Sequence, residues 1–192
     1  MSERPLNIAD PQALVEEIGR LRGDIARLEQ RLEDLDRLAH HDSLVPLPNR
    51  RGFLRQLERT IARTTRYGDE SALLFVDIDG LKMVNDSFGH HAGDAALIHV
   101  ALLLLEGVRV SDFVARFGGD EFAVLLERAD EAQAHETAAR LANIIAGTQF
   151  VHDDHMIPLS AAIGVTTLVP GDAPEAVLVR ADRAMYDEKA AA

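Results

Sequence analysis

Two acidic residues directly follow a pair of glycines near the middle of the chain, in the segment Gly118-Gly119-Asp120-Glu121-Phe122. Apolar runs lie on both sides of this segment, at 113–115 and 122–126. A glycine pair between such runs predicts a β-hairpin turn, because glycine takes positive φ without a Cβ clash. Two carboxylates at a rigid turn suit a divalent metal ion or a metal–polyphosphate complex. Taken alone, the segment is more often a solvated turn with ordinary surface acids, so the rest of the chain must decide.

A second pair of acids, Asp77 and Asp79, ends the apolar run 72–76. That run is apolar on both faces, which predicts a buried central strand. Side chains alternate along a strand, so Asp77 and Asp79 point to one face and Ile78 to the other. Two acids at the end of a buried strand repel each other unless a cation lies near them, which favours a metal site over a surface site. The carbonyl oxygen of Ile78 is a further candidate ligand, because hard cations accept carbonyl oxygens.

The segment after these acids offers groups for a nucleotide. Gly80 lets the backbone approach a ligand closely, and the N–H groups of Gly80-Leu81-Lys82 can cradle phosphate oxygens. The carboxylate of Asp94 can accept from guanine N1–H and the 2-amino group, and the amide of Asn85 can meet another edge of the base. Taken singly, Asn85 and Asp94 are more often turn or capping residues.

A long amphipathic helix precedes these groups. Its apolar residues are spaced alternately four and three apart, which is a heptad repeat. The heptad seam has isoleucine mostly at position a and leucine at position d, and consists of Leu14, Ile18, Leu21, Ile25, Leu28, Leu32 and Leu35. This pattern favours a parallel two-stranded coiled coil. The alternative is a single helix packed on its own domain, which gains weight because Gly19 and Gly23 lower the helix propensity.

Helices and strands alternate through the rest of the chain. We predict helices at 50–66, 93–106, 130–147 and 174–189, strands at 71–76 and 156–168, and a polar loop at 151–156. The glycine hairpin in the middle excludes a purely parallel sheet, so we expect an α+β fold with helices on a mostly antiparallel sheet. The domains would be a flexible N-terminus at 1–10, a coiled-coil helix at 11–41 and a catalytic domain at 42–192.

Composition narrows the classes of function. The 192 residues are 47% apolar and include no cysteine, which predicts a real core without disulfides. A net charge of −12 argues against a general nucleic-acid binder, although a nucleotide can bind with Mg²⁺ and a few local bases. No apolar run approaches the ~20 residues that span a bilayer, and the first residues lack a secretory signal. We therefore expect a cytoplasmic protein.

Four segments in this order resemble the GGDEF family, the diguanylate cyclases that condense two GTP into the bacterial second messenger cyclic di-GMP. They are DSLVPLPNRR at 42–51, DIDGLKMVNDSFGHHAGD at 77–94, RFGGDEF at 116–122 and ADRAMYDEK at 181–189. The resemblance covers about residues 40–189 and implies a ferredoxin-like core akin to that of nucleotidyl cyclases. Two features depart from the family pattern. Val45-Pro46 stands where the family usually has Thr-Gly, and three alanines follow Lys189 where the family commonly continues into a glycine-arginine-asparagine stretch, which puts one phosphate-contacting arginine in doubt.

The resemblance implies roles for individual residues. Asp77 and Asp120, with the Ile78 carbonyl, would ligate Mg²⁺ or Mn²⁺, with two ions in each active site. Asp120 and Glu121 would be catalytic, and Glu121 would position or deprotonate the ribose 3′-hydroxyl or join the metal shell. The GTP-binding set would be Asn85 and Asp94 for guanine, Lys82 and Lys189 for the triphosphate, and the backbone of Gly80, Leu81, Gly118 and Gly119.

The resemblance also implies a homodimer and feedback inhibition. If each domain holds one GTP, two domains must face each other, and a parallel coiled coil would supply the second. Arg109 and Asp112 resemble the family's RxxD inhibitory site, where cyclic di-GMP, the product, would bind. The alternative function is a non-catalytic GGDEF module that binds GTP or cyclic di-GMP and signals through its coil. A coiled-coil adaptor with a purely structural domain would leave the acidic residues without a reason.

Overall fold

The computed structural model describes residues 11–191, and the predicted flexible segment at 1–10 lies outside them. The chain divides after Ala39 into two units. The first unit is formed by α1 (Pro11–His40), a continuous helix of 30 residues. Its heptad seam is exposed along its whole length, from Leu14 at 36% to Leu32 at 66%. Pairing of this seam with a second copy stays a prediction.

The second unit alternates helices and strands along the chain. Its elements are α2 (Arg50–Tyr67), β1 (Ser71–Ile78), α3 (Leu81–Phe88), α4 (His90–Glu106), β2 (Phe113–Arg116), β3 (Glu121–Glu127), α5 (Glu131–Gly147), β4 (Phe150–His152), β5 (His155–Ile157), β6 (Ala161–Thr167) and α6 (Pro174–Ala191). Strands β2, β3, β1 and β6 form one sheet in that order, and every pair in it is antiparallel. A β-α-β-β-α-β path through such a sheet is ferredoxin-like, which confirms the predicted fold class.

Strand β1 lies in the centre of the sheet and is buried on both faces, as its apolar run predicts. Leu74 and Val76 pack with α4 and α5 on one face. Leu73 and Phe75 pack with α2 and α6 on the other. The two helical layers shield β1 from water and leave only its ends available to a ligand.

Local capping explains where two of the helices begin. Asn49 precedes α2, and its side-chain oxygen accepts hydrogen bonds from the N–H groups of Arg51 and Gly52. Asp130 precedes α5 and forms a capping box with Gln133. Such caps satisfy N–H groups that have no partner inside the helix.

Helix α3 was not predicted from the sequence, and α4 begins three residues before the predicted start. Both helices start after a glycine with positive φ, Gly80 at 67° and Gly89 at 85°. Leu81 and Val84 are the buried residues of α3. Packing of these two side chains stabilises a short helix whose second half contains the weak helix formers Asn85, Asp86 and Ser87.

The predicted continuous strand at 156–168 is wrong. Two separate strands occupy this range, β5 and β6, and Pro158 lies between them. Proline lacks the N–H that a central strand needs, which explains the break. The predicted polar loop at 151–156 is also wrong, because β4 and β5 pair as a hairpin. Asp153 and Asp154 form its turn with positive φ, a conformation that aspartate tolerates better than most residues.

No helix within residues 11–191 combines the length and apolar character that a membrane crossing requires.

Candidate active site

The register of β1 and β3 brings the two predicted acidic segments together. Asp77 lies directly opposite Glu121 in the antiparallel pair. One residue further on, the N–H of Ile78 donates to the carbonyl of Asp120 at 3.1 Å. The end of β1 and the glycine turn therefore form one continuous edge. The Asp77 side chain is mostly buried at this edge, with 14% of its surface exposed.

The carboxylates at this edge are close enough to perturb one another. Burial raises the pKa of Asp77, and the negative charges of Asp120 and Asp79 raise it further. Burial also raises the pKa of Glu121, with added repulsion from Asp77, Asp120 and Asp182. Each acid is thus harder to ionise than it would be in water, and a nearby cation would relieve the repulsion.

Two basic residues oppose this negative charge. Lys189 Nζ lies 2.5 Å from Asp77 Oδ1 and acts to lower the pKa of Asp77. The sequence predicted a triphosphate contact for Lys189, whereas in the structure the Lys189 ammonium contacts the carboxylate of Asp77. Arg50, the first residue of α2, acts to lower the pKa of Glu121. Arg50 was not among the site residues predicted from the sequence, although its position directly after the helix cap Asn49 is visible there.

The guanidinium of Arg50 is held by an aromatic cluster. It lies 4.7 Å from the ring centroid of Phe117, which is a cation–π contact. Phe117 in turn makes edge-to-face contacts with Phe53 and Phe75. The residue before the glycine pair thereby anchors the turn to α2 and to β1.

The glycine turn has a different geometry from the one predicted. Neither Gly118 nor Gly119 has positive φ. The N–H groups of Phe117 and Gly118 both donate to the carbonyl of Glu121, at 2.8 and 3.2 Å. A Cβ at Gly118 would overlap the Glu121 carboxylate, whereas a Cβ at Gly119 would meet nothing within 4 Å. Glycine at 118 therefore leaves room for the Glu121 carboxylate in its observed position, and position 119 faces open space.

Asp79 is exposed and its carboxylate has a partner outside the acidic edge. Its Oδ2 accepts a hydrogen bond from Ser160 Oγ at 2.8 Å, and its N–H donates to the Ser160 carbonyl. Ser160, which directly precedes β6, was not singled out in the sequence. This contact gives Asp79 a positioning role at the end of β1.

The two predicted guanine-reading residues lie next to each other. Helices α3 and α4 pack together so closely that a Cβ at Gly93 would overlap the side-chain amide of Asn85. Asp94, the next residue on α4, is exposed. Gly80, the buried Leu81 and the exposed Lys82 form the first turn of α3, immediately after Asp79. An exposed carboxylate beside an amide offers complementary acceptors and donors to a base.

The predicted inhibitory residues lie at the other end of the sheet. Arg109 and Asp112 close a turn on each other through two hydrogen bonds of 2.9 Å. Asp112 Oδ1 also accepts from the N–H of Glu127 at 3.2 Å. Glu127 and Glu121 are at opposite ends of β3, so the two sites are about 20 Å apart at ~3.3 Å per residue. Arg140, which no motif in the sequence pointed to, lines the same small cavity as Arg109.

The acidic edge suits a hard cation by its donor type. Within residues 11–191, no group of three or more histidine, aspartate or glutamate side chains is arranged to hold a metal ion alone. Magnesium ordinarily needs only one or two protein carboxylates and takes its other ligands from water and substrate phosphates. Asp77, Asp120 and the Ile78 carbonyl fit that partial set.

A match to a family of known proteins begins at the boundary between the two units. The sequence model of the family described as diguanylate cyclase, GGDEF domain, matches residues 39–192. The diguanylate cyclase DgcP of Pseudomonas aeruginosa is 38% identical over 94% of the chain, and the diguanylate cyclase TpbB of Pseudomonas aeruginosa is 39% identical over 95%. The chain spans only 27% of the first relative and 43% of the second.

A solved structure extends the similarity to both units of the chain. It is the coiled coil and GGDEF domain of DgcB from Caulobacter crescentus in complex with c-di-GMP. The TM-score is 0.87 at 27% identity, and the match covers 93% of this chain and 95% of the other.

Proposed function

Because the chain belongs to the GGDEF family of diguanylate cyclase domains, we propose that it condenses two molecules of GTP into cyclic di-GMP and releases pyrophosphate. The observation that carries this proposal is the pairing of Asp77 with Glu121, which gathers the acids of two separate segments at one edge. That edge lies directly before the first turn of α3. Metal-binding and phosphate-binding groups are thereby adjacent, as a nucleotidyl transfer requires.

The guanine base would bind at the junction of α3 and α4. Asp94 would accept hydrogen bonds from guanine N1–H and the 2-amino group, and Asn85 would meet a second edge of the base. Their adjacency through Gly93 supports this assignment. The triphosphate would then lie along the first turn of α3, where Gly80, Leu81 and Lys82 offer N–H groups and one positive charge.

The chemical step would take place at the acidic edge. Mg²⁺ or Mn²⁺, held by Asp77, Asp120 and the Ile78 carbonyl, would stabilise the attacking and leaving oxygens when bound. Glu121 would accept or orient the proton of the ribose 3′-hydroxyl that attacks the α-phosphorus. The open space above Gly119 leaves room for the substrate at this turn.

Two copies would be needed for one product molecule. Each domain offers one acidic edge and one base-reading pair, while cyclic di-GMP contains two identical halves. The exposed heptad seam of α1 would pair two chains in parallel and raise the local concentration of the second domain to about millimolar. The solved relative with a coiled coil and a GGDEF domain supports this arrangement.

The pocket at the other end of the sheet would bind the product. Two arginines and two acidic residues line this one small cavity, namely Arg109, Arg140, Asp112 and Glu127. Guanidinium groups bind phosphate and the Hoogsteen edge of guanine bidentately. The distance of this pocket from the acidic edge favours inhibition without direct competition.

Synthesis of cyclic di-GMP would take place in the cytoplasm, where GTP is available.

The deciding experiment incubates the purified protein with GTP and Mg²⁺ and separates the nucleotides by chromatography. We expect cyclic di-GMP and pyrophosphate from the wild type, and no product from Asp120→Asn. The matched control is Asp153→Asn, the same chemical change at the turn of the β4–β5 hairpin, which should keep wild-type turnover. If GTP binds at high protein concentration but no cyclic di-GMP forms, the enzyme proposal is wrong and a non-catalytic nucleotide-binding module replaces it.

A further inference from the structure

The last helix brings a lysine onto a carboxylate that is proposed to bind metal. Lys189 Nζ and Asp77 Oδ1 are 2.5 Å apart, although the residues are 112 positions apart in the sequence. Helix α6 lies tightly on β6, because a Cβ at Gly164 would overlap backbone atoms of Met185 and Ala181. This close packing of α6 on β6 places Lys189, one turn beyond Met185, beside the acidic edge.

The ammonium group of Lys189 interacts electrostatically with three neighbouring carboxylates. Burial lowers its pKa, but the hydrogen bond to Asp77 and the charges of Asp77, Asp79 and Asp120 outweigh burial and leave the pKa raised. The ammonium thus occupies the place where the negative charge of this edge is concentrated. A Mg²⁺ held by the same carboxylate would compete with the ammonium for it. Two cations on one partly buried carboxylate repel each other strongly.

We propose that Lys189 is an exchangeable counter-ion of Asp77, so that the lysine ammonium and a divalent cation occupy this carboxylate alternately. The arrival of the cation releases Lys189 toward the triphosphate. This inference rests on the proposed function, because it takes Asp77 as a metal ligand and GTP as the substrate.

The exchange couples metal binding to nucleotide binding. Free metal must displace Lys189 from Asp77, which weakens its binding. A metal that arrives with GTP also brings phosphate charge, and the released lysine then gains a new partner. A compact ammonium on a flexible four-carbon stem is suited to moving between two such partners. By linkage, the nucleotide then strengthens metal binding by the same factor by which metal strengthens nucleotide binding.

Metal affinity without nucleotide tests the exchange directly. Binding of Mn²⁺ alone is measured by electron paramagnetic resonance for the wild type and for Lys189→Met. We expect Lys189→Met to bind Mn²⁺ about fivefold more tightly, the upper end of what an exposed ion pair contributes. The same variant should bind GTP in the presence of Mn²⁺ more weakly than the wild type, because the triphosphate loses one cation. Lys189→Arg keeps the charge and should keep Mn²⁺ affinity close to that of the wild type.

The matched control is Lys82→Met, since Lys82 is the only other lysine of the chain. It removes the same charge from an exposed position near the site without touching Asp77. If Mn²⁺ affinity depends only on the net charge near the site, both variants will bind Mn²⁺ more tightly by the same factor. That result would overturn the exchange. The exchange predicts a change below about twofold for Lys82→Met, because an exposed charge is screened by salt.

Nuclear magnetic resonance gives a second readout that needs no turnover. Protein labelled with ¹³C-lysine shows two lysine ε-methylene signals, and Lys82→Arg assigns them. Both Asp77→Asn and addition of Mg²⁺ should shift the Lys189 signal in the same direction and leave the Lys82 signal in place. A Lys189 signal that neither change moves would overturn the proposal.

The outcomes separate the exchange from the proposed function. Tighter Mn²⁺ binding by Lys189→Met without cyclase activity in the wild type would leave the exchange standing and overturn the enzyme. If the wild type is an active cyclase but Lys189→Met binds Mn²⁺ no more tightly than the wild type, only the exchange is overturned. If neither the wild type nor any variant binds Mn²⁺, both the metal site at Asp77 and the exchange are wrong.

Discussion

Arg116 and Asp42 form an ion pair in which Nη1 of the arginine donates to Oδ1 of the aspartate at 3.1 Å. The same carboxylate oxygen accepts from the N–H groups of Leu44 and Val45, at 2.9 and 3.0 Å. On its other side, the guanidinium donates to the carbonyl of Gly119 at 2.7 Å. A single arginine therefore joins the segment that opens the second unit to the glycine turn of the candidate active site.

Substitutions of Asp42 should separate the ion pair from the backbone hydrogen bonds. Asp42→Asn keeps an acceptor oxygen for Leu44 and Val45 but removes the charge opposite Arg116, and we expect it to cost about 1–3 kcal/mol of unfolding free energy. Asp42→Ala also removes the two acceptor contacts and should cost about 2 kcal/mol more. Urea unfolding at neutral pH measures both losses. Equal losses for the two variants would contradict a separate contribution from the backbone contacts.

The stability of the second unit should depend on pH through Asp172. Hydrogen bonds from Arg180 are the main cause that lowers the pKa of Asp172, whose side chain is 7% exposed. A carboxyl group with a lowered pKa stabilises the fold above its ordinary pKa of about 3.9 and loses this effect as pH falls through the folded value. Asp172→Asn should therefore be less stable than the wild type by about 1.5–3 kcal/mol at pH 7. The difference should shrink below about pH 4.

Urea unfolding at a series of pH values checks this dependence. Asp187→Asn, an exposed change on α6, should keep the wild-type pH profile. A constant difference between the wild type and Asp172→Asn from pH 7 to the acid limit would show that the lowered pKa does not contribute.

The sequence was sufficient for the parts of the fold that periodicity encodes. The apolar run before Asp77 predicted β1, and the two apolar runs around the glycine pair predicted the β2–β3 hairpin, which the register confirms. The amphipathic pattern at 50–66 predicted α2 to within one residue of its end at Tyr67. In these segments the local pattern and the tertiary packing favour the same structure, so the pattern alone is decisive.

The sequence failed where tertiary contacts override local preference. The residues of α3 include Asn85, Asp86 and Ser87, which are weak helix formers, and only the burial of Leu81 and Val84 makes the helix stable. The β4–β5 hairpin was missed for another reason. Its Asp-Asp turn is a recognisable signal, but Val151 and Met156 are exposed and the strands are too short to show alternation.

The candidate site was only partly readable from the sequence. Residue types and spacing identified Asp77, Asp120 and Glu121, and the strand register then brought them together. The contact of Lys189 with Asp77 joins residues 112 positions apart and depends on how α6 packs on β6. No local pattern records such a contact, so the sequence suggested only a phosphate partner for that lysine.

The two glycines of the turn should respond differently to alanine. Gly118→Ala would push the Glu121 carboxylate out of place, and we expect about tenfold to hundredfold less cyclic di-GMP production, as small misplacements of catalytic groups cause. Stability should change by less than about 1 kcal/mol, because the clash is with the end of a flexible side chain. Gly119→Ala should leave the unfolding free energy unchanged, since nothing lies within 4 Å. Chromatographic assays and urea unfolding on both variants test these expectations, and wild-type activity in Gly118→Ala would refute the role of Gly118.

Alanine at Gly164 should be strongly destabilising, whereas alanine at Gly147 should not. A Cβ at Gly164 would overlap backbone atoms of Met185 and Ala181, so α6 would have to move, at a cost of about 1–3 kcal/mol or more. Gly147 ends α5 with nothing within 4 Å, and alanine there should gain up to about 1 kcal/mol of helix propensity. Thermal and urea unfolding measure the change in unfolding free energy, which should be a loss for Gly164→Ala and a gain for Gly147→Ala. A neutral Gly164→Ala would mean that α6 can shift without loss of packing.

Disruption of the α1 heptad seam should lower both dimer content and cyclase activity. Leu21→Lys with Leu28→Lys places two like charges of each chain in the apolar seam, which opposes pairing of two copies. Ala26→Lys with Gln30→Lys adds the same charge on the opposite face of α1 and should leave pairing intact. Sedimentation velocity measures dimer content, and activity per chain is followed over a range of protein concentrations.

The dependence of activity per chain on protein concentration shows whether the coiled coil supplies the second catalytic domain. If the coil holds two domains together, wild-type activity per chain stays constant as the protein is diluted, because the local concentration of the partner does not change. The Leu21→Lys, Leu28→Lys variant must find its partner by diffusion, so its activity per chain should rise in proportion to protein concentration. Unchanged dimer content in this variant would show that the second unit assembles by itself. The exposed seam of α1 would then need a different partner.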